Sequence, residues 1–367
     1  MKKAMNIIGI ALLVIAIFFA ITIGIFIYNS PGKLAPLRDG TRKDISGALT
    51  EKHKMNIGGI EQGLFIRSEN PDNPVILFLH GGPGSPELPL LIPVEKEERL
   101  EKYFTMVYWD QRGAGMSYHD DIDPATMTLE QMVADTAEVT QYIQGRFNQD
   151  KIILMGHSWG SYLGVKTVEK HPELYQAYIG IGQVCNQRLS EKLAYDYLLA
   201  QAQERNDKKA TDALEKVDAN APSFPENEYI MTARSSLMNK YGVGIQHKGA
   251  STLAIVKDMM LFRGYTPNEK RGYGQGLLFS QQHLFSSMLD DDLNASSTVF
   301  QIPVFITHGK YDYQVSHELA KQYVENLQAP DKDFITFDES AHSPILEEPE
   351  RFTQVVRDLV DRSAAVE

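Results

Sequence analysis

The chain has 367 residues, of which 43% are hydrophobic and 23% charged, so it can bury a sizeable core as one large domain or two smaller ones. Its formal net charge of −12 should repel anionic partners, so nucleic acid is not expected as a ligand. Cys185 is the single cysteine, which excludes an intrachain disulfide and a cysteine-rich metal site.

The N-terminus predicts a membrane anchor. Residues 7 to 28 carry no charge and follow Lys2 and Lys3; as a helix these 22 positions would extend roughly 33 Å, enough to cross a bilayer core. A cleaved signal peptide is the alternative, but its apolar region is usually only ~7–15 residues long. We therefore expect a single-pass membrane protein with an anchor at 1 to 28, a linker at 29 to 47 and an extracytoplasmic catalytic domain.

Strand and helix signals alternate in the first part of the core, residues 48 to 185. KHKMNI and EQGLFIR flank Gly58 and Gly59 and predict a hairpin, while VILFLH, FTMVYW, KIILM and AYIGIG predict buried strands. Thr128 and Gln131 form a capping-box pattern before the helical segment LEQMVADTAEVTQYIQGRF. This alternation predicts a mostly parallel sheet covered by helices on both faces.

Residues 186 to 300 break the alternation and predict an inserted helical lid. The stretches YDYLLAQAQ, DMMLFRGY and LLFSQQHLFSSML are helical and separated by loops, and a connection this long is improbable without structure. We assign their aromatic and Met residues to the lid's own core, with pocket lining as the alternative. The alternation returns in the second part of the core, 301 to 367, through IPVFITHG, HELAKQYVENL and DFITF.

The stretch GHSWGS, residues 156 to 161, predicts a nucleophile elbow. Ser158 lies between two glycines at the junction of a predicted strand and helix, where glycines permit the sharp turn that exposes the serine. An ordinary helix N-cap is the alternative. A serine hydroxyl needs a base to accept its proton and a carboxylate to orient that base, so both should lie downstream.

Asp312 and His342 fit these two roles. Asp312 follows the predicted strand VFITHG and His342 follows DFITF, so the order Ser, Asp, His is that of α/β hydrolases. We expect Ser158 to be the nucleophile, His342 the base and Asp312 the orienting acid. The alternatives are His157, His308 and His317 as the base, and Asp338 and Glu339 as the acid.

The loop HGGPG, residues 80 to 84, predicts one half of an oxyanion hole. Its glycines let the backbone approach a ligand closely, and we assign the donor to the N–H of Gly82. The second donor is the N–H of Trp159, directly after the nucleophile. A plain Gly-Pro turn is the alternative for the loop.

Together these motifs resemble a known family. HGGPG, WDQRGAGMS at 109 to 117 and GHSWGS, followed by Asp312 and His342, are similar to the proline iminopeptidase (prolyl aminopeptidase) family of serine peptidases within the α/β hydrolases. The resemblance implies an α/β-hydrolase fold and removal of an N-terminal residue, often proline, from short peptides without a metal or cofactor. It also implies that acidic lid residues bind the free amine of the substrate.

The predicted lid departs from that family. Its members commonly carry a tryptophan beside a glutamate in the lid, whereas the two tryptophans here, Trp109 and Trp159, lie outside it. A buried ammonium needs a paired carboxylate. The candidates are Glu204, Glu226, Glu228 and the run Asp290, Asp291 and Asp292, each with a solvated surface position as the alternative. In the DQRG segment, Asp110 and Arg112 are expected to tie a loop together through charge-assisted hydrogen bonds.

The sequence therefore predicts a membrane-anchored α/β hydrolase with a helical lid that forms an acyl-enzyme on Ser158. The expected substrate is a peptide or amide with a free N-terminus. A carboxylic ester or lactone hydrolase with the same triad is the alternative. A catalytically silent, membrane-anchored binding protein is the alternative from another functional class. The sequence predicts no oligomeric state.

Overall fold

The computed structural model describes residues 2–94, 97–225, 229–248 and 252–365. Within these ranges eight strands form one sheet. The strands are β1 (Leu49–Ile57), β2 (Ile60–Ser68), β3 (Val75–Leu79), β4 (Thr105–Asp110), β5 (Ile152–His157), β6 (Tyr175–Ile181), β7 (Val304–Gly309) and β8 (Lys332–Phe337).

The same ranges contain fourteen α-helices and one π-helix, Tyr229–Arg234. The α-helices are α1 (Lys2–Tyr28), α2 (Leu88–Leu91), α3 (Leu100–Tyr103), α4 (Leu129–Phe147), α5 (Trp159–Lys170), α6 (Gln187–Glu204), α7 (Lys208–Leu214), α8 (Ser235–Tyr241), α9 (Thr252–Leu261), α10 (Pro267–Leu289), α11 (Leu293–Ser296), α12 (His317–Asn326), α13 (Pro344–Glu347) and α14 (Pro349–Ala364).

The strand order is β1-β2-β4-β3-β5-β6-β7-β8. Strand β2 is antiparallel to both β1 and β4, and every other neighbouring pair is parallel. The prediction of a mostly parallel sheet is confirmed. The predicted hairpin is β1 and β2, and its two-residue turn uses Gly58 and Gly59 at φ of +55° and +84°, values that side chains rarely adopt.

Apolar side chains are buried on both faces of the sheet. Strand β3 shows the alternation: Val75 and Leu77 pack into the cluster on one face, whereas Ile76 and Phe78 pack into the cluster on the other. Successive side chains of a strand point to opposite faces, so a run without polar residues must be covered on both sides. This is why the apolar strand motifs predicted central strands correctly.

The N-terminus of α4 differs from the predicted capping box. The Thr128 side chain accepts the N–H of Gln131 at 3.2 Å, as expected. The Gln131 side chain does not return to Thr128, because its amide donates to Asp135 Oδ1 at 2.7 Å. A reciprocal box instead opens α10, where Thr266 and Glu269 each accept the other's backbone N–H.

The insertion between β6 and β7 contains helices α6 to α11. Its described part has no named strand and has an apolar cluster of its own, which includes Tyr195, Leu198, Phe224 and Met238. Helix α10 lies against the loop after β4, where Ser280 Oγ donates to a backbone carbonyl at 3.0 Å. The action of this insertion as a lid remains a prediction.

The predicted transmembrane anchor is wrong. In the part of the chain that the structure describes, no helix is both long enough and apolar enough to cross a membrane. The predicted single-pass membrane localisation, the membrane as a partner and the extracytoplasmic placement are corrected with it.

Candidate active site

Ser158 lies at a sharp turn between β5 and α5. Its backbone has φ of 54° and ψ of −120°, a conformation rare for residues other than glycine. The flanking glycines make this turn possible: a Cβ on Gly156 would lie 2.2 Å from the carbonyl oxygen of Gly160, and a Cβ on Gly160 would lie 2.0 Å from that of Leu79. The Ser158 N–H donates to Ile181 O at 2.9 Å, which fixes the elbow against β6.

Asp312 and His342 are brought together by the loops after β7 and β8. His342 Nδ1 donates to Asp312 Oδ2 at 2.7 Å, and both side chains are buried. The other oxygen, Oδ1, accepts the N–H groups of Gln314 at 2.8 Å and Val315 at 3.0 Å. The carboxylate is therefore held on both oxygens, with one of them aimed at the imidazole.

A second imidazole also contacts this carboxylate. His308 Nε2 lies 3.0 Å from Asp312 Oδ2 and 3.2 Å from the carbonyl oxygen of Val315. A carbonyl only accepts, so Nε2 carries the proton and donates to both oxygens. Burial alone would raise the pKa of Asp312, but the nearby His342 and the hydrogen bond from His308 outweigh it and lower that pKa. Asp312 is consequently ionised at neutral pH.

The elbow and the imidazole of His342 share a neighbour. Gly182 directly follows Ile181, the residue that accepts the Ser158 N–H, and a Cβ on Gly182 would lie 2.9 Å from both Cε1 and Nδ1 of His342.

Burial lowers the pKa of His342 despite the opposing charge and hydrogen bond of Asp312. His342 is therefore neutral at physiological pH, as a proton acceptor must be.

The loop HGGPG lies beside Ser158. A Cβ on Gly81 would lie 3.1 Å from Ser158 Cβ, and the Gly81 N–H is already used in a hydrogen bond to Glu87 Oε1 at 2.7 Å. Within the described ranges, the structure gives no acceptor to the N–H of Gly82 or of Trp159. These two amides are the backbone donors that the sequence assigned to the oxyanion.

Gln111 was missed by the sequence reasoning. It belongs to the WDQRG motif, and its N–H donates to His80 Nε2 at 3.1 Å while its amide donates to His80 O at 2.9 Å. Its side-chain oxygen accepts the Trp159 indole N–H at 3.1 Å. Gln111 thus joins the glycine loop to the residue after Ser158. The proximity of its motif to a predicted strand end was the available signal.

Asp110 and Arg112 tie loops together, though not to each other. Arg112 makes a bidentate, fully buried pair with Asp135, at 2.7 Å from Nε and 3.1 Å from Nη2, and donates to Gly58 O at 2.8 Å. Asp110 accepts the Tyr265 hydroxyl of the insertion at 2.7 Å. Burial raises the pKa of Asp110 to about 7.

The alternative bases and acids are hydrogen-bonded or paired with other groups. His317 Nε2 bonds Thr336 Oγ1 at 2.9 Å, and the exposed carboxylates of Asp338 and Glu339 pair with Lys310 at 3.5 Å and Lys248 at 2.7 Å. His157 hydrogen-bonds Glu87 and the His342 carbonyl oxygen, and His308 bonds Asp312 as described above.

The candidate amine-binding acids of the insertion are exposed or already engaged. Glu204 is exposed, and Glu226 and Glu228 lie outside the described residues. Asp290 pairs with Arg188 at 2.9 Å, Asp291 pairs with Lys166 at 2.7 Å, and Asp292 caps α11 by accepting the Asn294 N–H at 3.0 Å. The sequence also missed the buried Glu191, whose carboxylate pairs with Arg234 at 2.6 Å.

The comparisons with known proteins agree on the fold. A family model for the alpha/beta hydrolase fold matches residues 74–349. The chain is 34% identical over 305 residues to Probable aminopeptidase YbaC of Bacillus subtilis, an alignment that covers 83% of this chain and 94% of that protein. It is 24% identical over 300 residues to Proline iminopeptidase of Heyndrickxia coagulans, covering 80% and 92%.

A solved structure gives the same result. The crystal structure of proline iminopeptidase of Mycobacterium smegmatis superposes with a TM-score of 0.62 at 17% identity, covering 86% of this chain and 100% of that one. This likeness shows the fold alone. The resemblance that the motifs indicated is confirmed by the relatives named above. The matched family and these relatives identify the chain as an enzyme that belongs to the α/β-hydrolase fold family.

Proposed function

We propose that the chain is a serine aminopeptidase similar to proline iminopeptidases, which cleaves a peptide or amide with a free N-terminus. The observation that carries this proposal is the 2.7 Å hydrogen bond from His342 Nδ1 to Asp312 Oδ2. The turn of Ser158 is close to this pair, since its N–H donates to Ile181 O and the next residue, Gly182, lies against the His342 imidazole. The names of the two sequence relatives support an N-terminal peptide bond as the substrate.

The reaction is an acyl transfer in two halves. His342 Nε2 accepts the hydroxyl proton of Ser158 while Oγ attacks the carbonyl carbon of the first residue. The N–H groups of Gly82 and Trp159 stabilise the resulting oxyanion. The proton then passes from His342 to the departing amine, and the C–N bond breaks to leave an acyl-enzyme. Water, deprotonated by His342, attacks the ester, and the proton returns to Oγ.

Asp312 supports this sequence without taking the proton. Its Oδ2 accepts the Nδ1–H of His342, which keeps Nε2 free to accept the proton of Ser158. The charge on Asp312 stabilises the imidazolium that forms each time His342 accepts a proton. The bonds from His308 and from the backbone of Gln314 and Val315 keep the carboxylate ionised and oriented.

An ester or lactone hydrolase with the same triad is the second candidate, and one observation favours it. Among the described residues, the acids proposed for the lid are exposed or paired with other groups: Asp290 with Arg188 and Asp291 with Lys166. A free ammonium group taken out of water needs a carboxylate partner. An ester substrate has no such need.

Steady-state hydrolysis by the purified full-length chain separates the two candidates. Prolyl and other aminoacyl anilides are compared with their N-acetylated forms and with short acyl nitrophenyl esters. The aminopeptidase proposal expects anilide cleavage that requires the free amine. Ester cleavage alone would replace it with the second candidate.

Ser158→Ala serves as the control for the triad. It should abolish turnover of every substrate and prevent covalent labelling by a fluorophosphonate, with the labelled peptide of the wild-type chain containing Ser158. Labelling at another serine, or full turnover by Ser158→Ala, would contradict the proposed nucleophile.

A further inference from the structure

A buried carboxylate–imidazole pair lies beside the triad but outside it. Glu87, just before α2, and His157, the last residue of β5, are 7% and 5% exposed. His157 Nδ1 lies 2.8 Å from Glu87 Oε1. Ion pairs this deep in a protein lose their hydration and need further hydrogen bonds to offset that loss. The other hydrogen bonds of Glu87 and His157 show which segments the pair connects.

Glu87 holds the glycine loop. The same oxygen, Oε1, accepts the N–H of Gly81 at 2.7 Å. Gly81 directly precedes Gly82, whose N–H is the proposed oxyanion donor, and a Cβ on Gly81 would lie 3.0 Å from Glu87 Oε1 and 3.1 Å from Ser158 Cβ. The carboxylate therefore fixes the peptide next to the oxyanion hole, on the side that faces the nucleophile.

His157 holds the backbone of the base. Its Nε2 lies 2.9 Å from the carbonyl oxygen of His342, and the two imidazole rings are 4.7 Å apart between centroids. A carbonyl only accepts, so Nε2 carries a proton. Burial alone would lower the pKa of His157, but the charge of Glu87 and the hydrogen bond to it raise the pKa instead. The pKa of Glu87 is lowered against its burial by the charge of His157. Both shifts favour the charged forms, an imidazolium on His157 and a carboxylate on Glu87.

We propose that Glu87 and His157 are positioning residues of the hydrolase, which tie the loop of the oxyanion hole at Gly81 to the backbone of the catalytic base at His342. The inference rests on the proposed triad and is independent of whether the substrate is a peptide or an ester. Without this pair, the loop at Gly81 and the backbone of His342 would each lose a hydrogen bond. A displacement of about 1 Å in such a site costs on the order of 10² in rate.

Binding of a substrate amine by Glu87 is the competing explanation. Its second oxygen, Oε2, is buried from solvent and has no hydrogen-bond partner among the described residues. Oε1 already accepts from Gly81 and His157. An ammonium group would have to open the loop to reach either oxygen, whereas positioning uses the bonds as they stand.

Glu87→Gln is the test, because it keeps the shape and an acceptor for Gly81 but removes the charge. We expect kcat to fall about 10- to 100-fold, in the same proportion for a free-amine anilide and for an acyl nitrophenyl ester, with KM within threefold. Glu101→Gln is the matched control: Glu101 is 3% exposed, and its Oε1 accepts the Tyr108 hydroxyl at 3.0 Å and lies 3.4 Å from Arg67 Nη1. It should leave kcat unchanged.

The double variant Glu87→Gln/His157→Gln tests whether the two residues act as one unit. It should lose no more kcat than the more damaging single variant, whereas independent roles would multiply the losses. The rate of fluorophosphonate labelling of Ser158 gives the same comparison without a substrate, and thermal melting identifies any variant that fails to fold. If Glu87→Gln does not fold, His157→Gln carries the test.

The outcomes are distinct. A kcat within twofold of wild type in Glu87→Gln, or multiplied losses in the double variant, would overturn the proposal. A loss confined to free-amine substrates would assign Glu87 to amine binding and overturn it too. If the wild-type chain cleaves esters only, the aminopeptidase proposal fails, but the kcat of Glu87→Gln can still be compared with wild type on the ester.

Discussion

Asp312→Asn is the sharpest test of the proposed triad. In the wild-type chain both oxygens of Asp312 face N–H donors: Oδ2 faces His342 and His308, and Oδ1 faces the amides of Gln314 and Val315. An asparagine must turn its NH₂ towards one of these sets. If it faces His342, the imidazole has to present Nδ1 as an acceptor, and the proton then occupies Nε2, where the serine proton must go.

The expected loss follows from the wrong tautomer. A serine hydrolase with this defect loses about 10⁴ in kcat, or about 5.5 kcal/mol of transition-state stabilisation. Measured anilide or ester kinetics give the factor directly. Asp338→Asn is the matched control, since Asp338 lies near His342 in sequence but is exposed and paired with Lys310 at 3.5 Å. The reasoning is refuted if Asp312→Asn stays within tenfold of wild type, or if Asp338→Asn produces the larger loss.

Three further predictions concern the base His342, the buried pair of Arg112 with Asp135, and Gly182 beside the imidazole. Because burial lowers the pKa of His342, its proton-accepting form persists to lower pH. The midpoint of the acid limb of kcat/KM should therefore lie below the ordinary histidine pKa of about 6.5. A midpoint above that value would contradict the prediction. Arg112→Met should cost about 3–5 kcal/mol in urea unfolding, whereas the exposed Arg271→Met should cost less than about 1; equal losses would refute the role of burial. Gly182→Ala should reduce kcat on the order of 10², because the new Cβ would contact the His342 imidazole. Gly59→Ala, at φ of +84° with open space around it, should lower stability only. Similar kcat values for the two variants would show that the contact with the imidazole is harmless.

Much of the fold could be predicted because strands and elbows are local features. The apolar run from Val75 to Leu79 is typical of a strand covered on both faces. The glycines around Ser158 are required because a Cβ on Gly156 or Gly160 would lie 2.2 Å or 2.0 Å from a backbone oxygen. Ser158, Asp312 and His342 each follow a strand, and they could be expected at one edge of the sheet because the carboxyl ends of parallel strands share that edge.

Other features could not be predicted, in part because they depend on contacts between distant segments. Glu87 and His157 are 70 positions apart, and a glutamate after a glycine loop has no periodicity to distinguish it from a surface residue. The Thr128 capping box was half correct because Asp135 competes for the Gln131 amide, a contact that the motif itself does not encode. The transmembrane prediction relied on the length of the uncharged segment 7 to 28, and it is wrong because no helix among the described residues is long and apolar enough to cross a membrane.

The charges around His342 explain how one imidazole can be neutral at rest and still receive a proton. At an effective dielectric constant of about 20, a cation on His157, whose ring centroid lies 4.7 Å from that of His342, opposes protonation by roughly 4 kcal/mol, and the carboxylate contact of 2.7 Å favours it by roughly 6. Asp312 therefore outweighs His157, and it is burial that brings the resting pKa of His342 below its ordinary value. Attack by Ser158 creates an oxyanion close to the imidazole, and this new negative charge adds to that of Asp312 at the moment of proton transfer. The imidazolium is thus favoured in the transition state and disfavoured before it, which is the difference that catalysis requires.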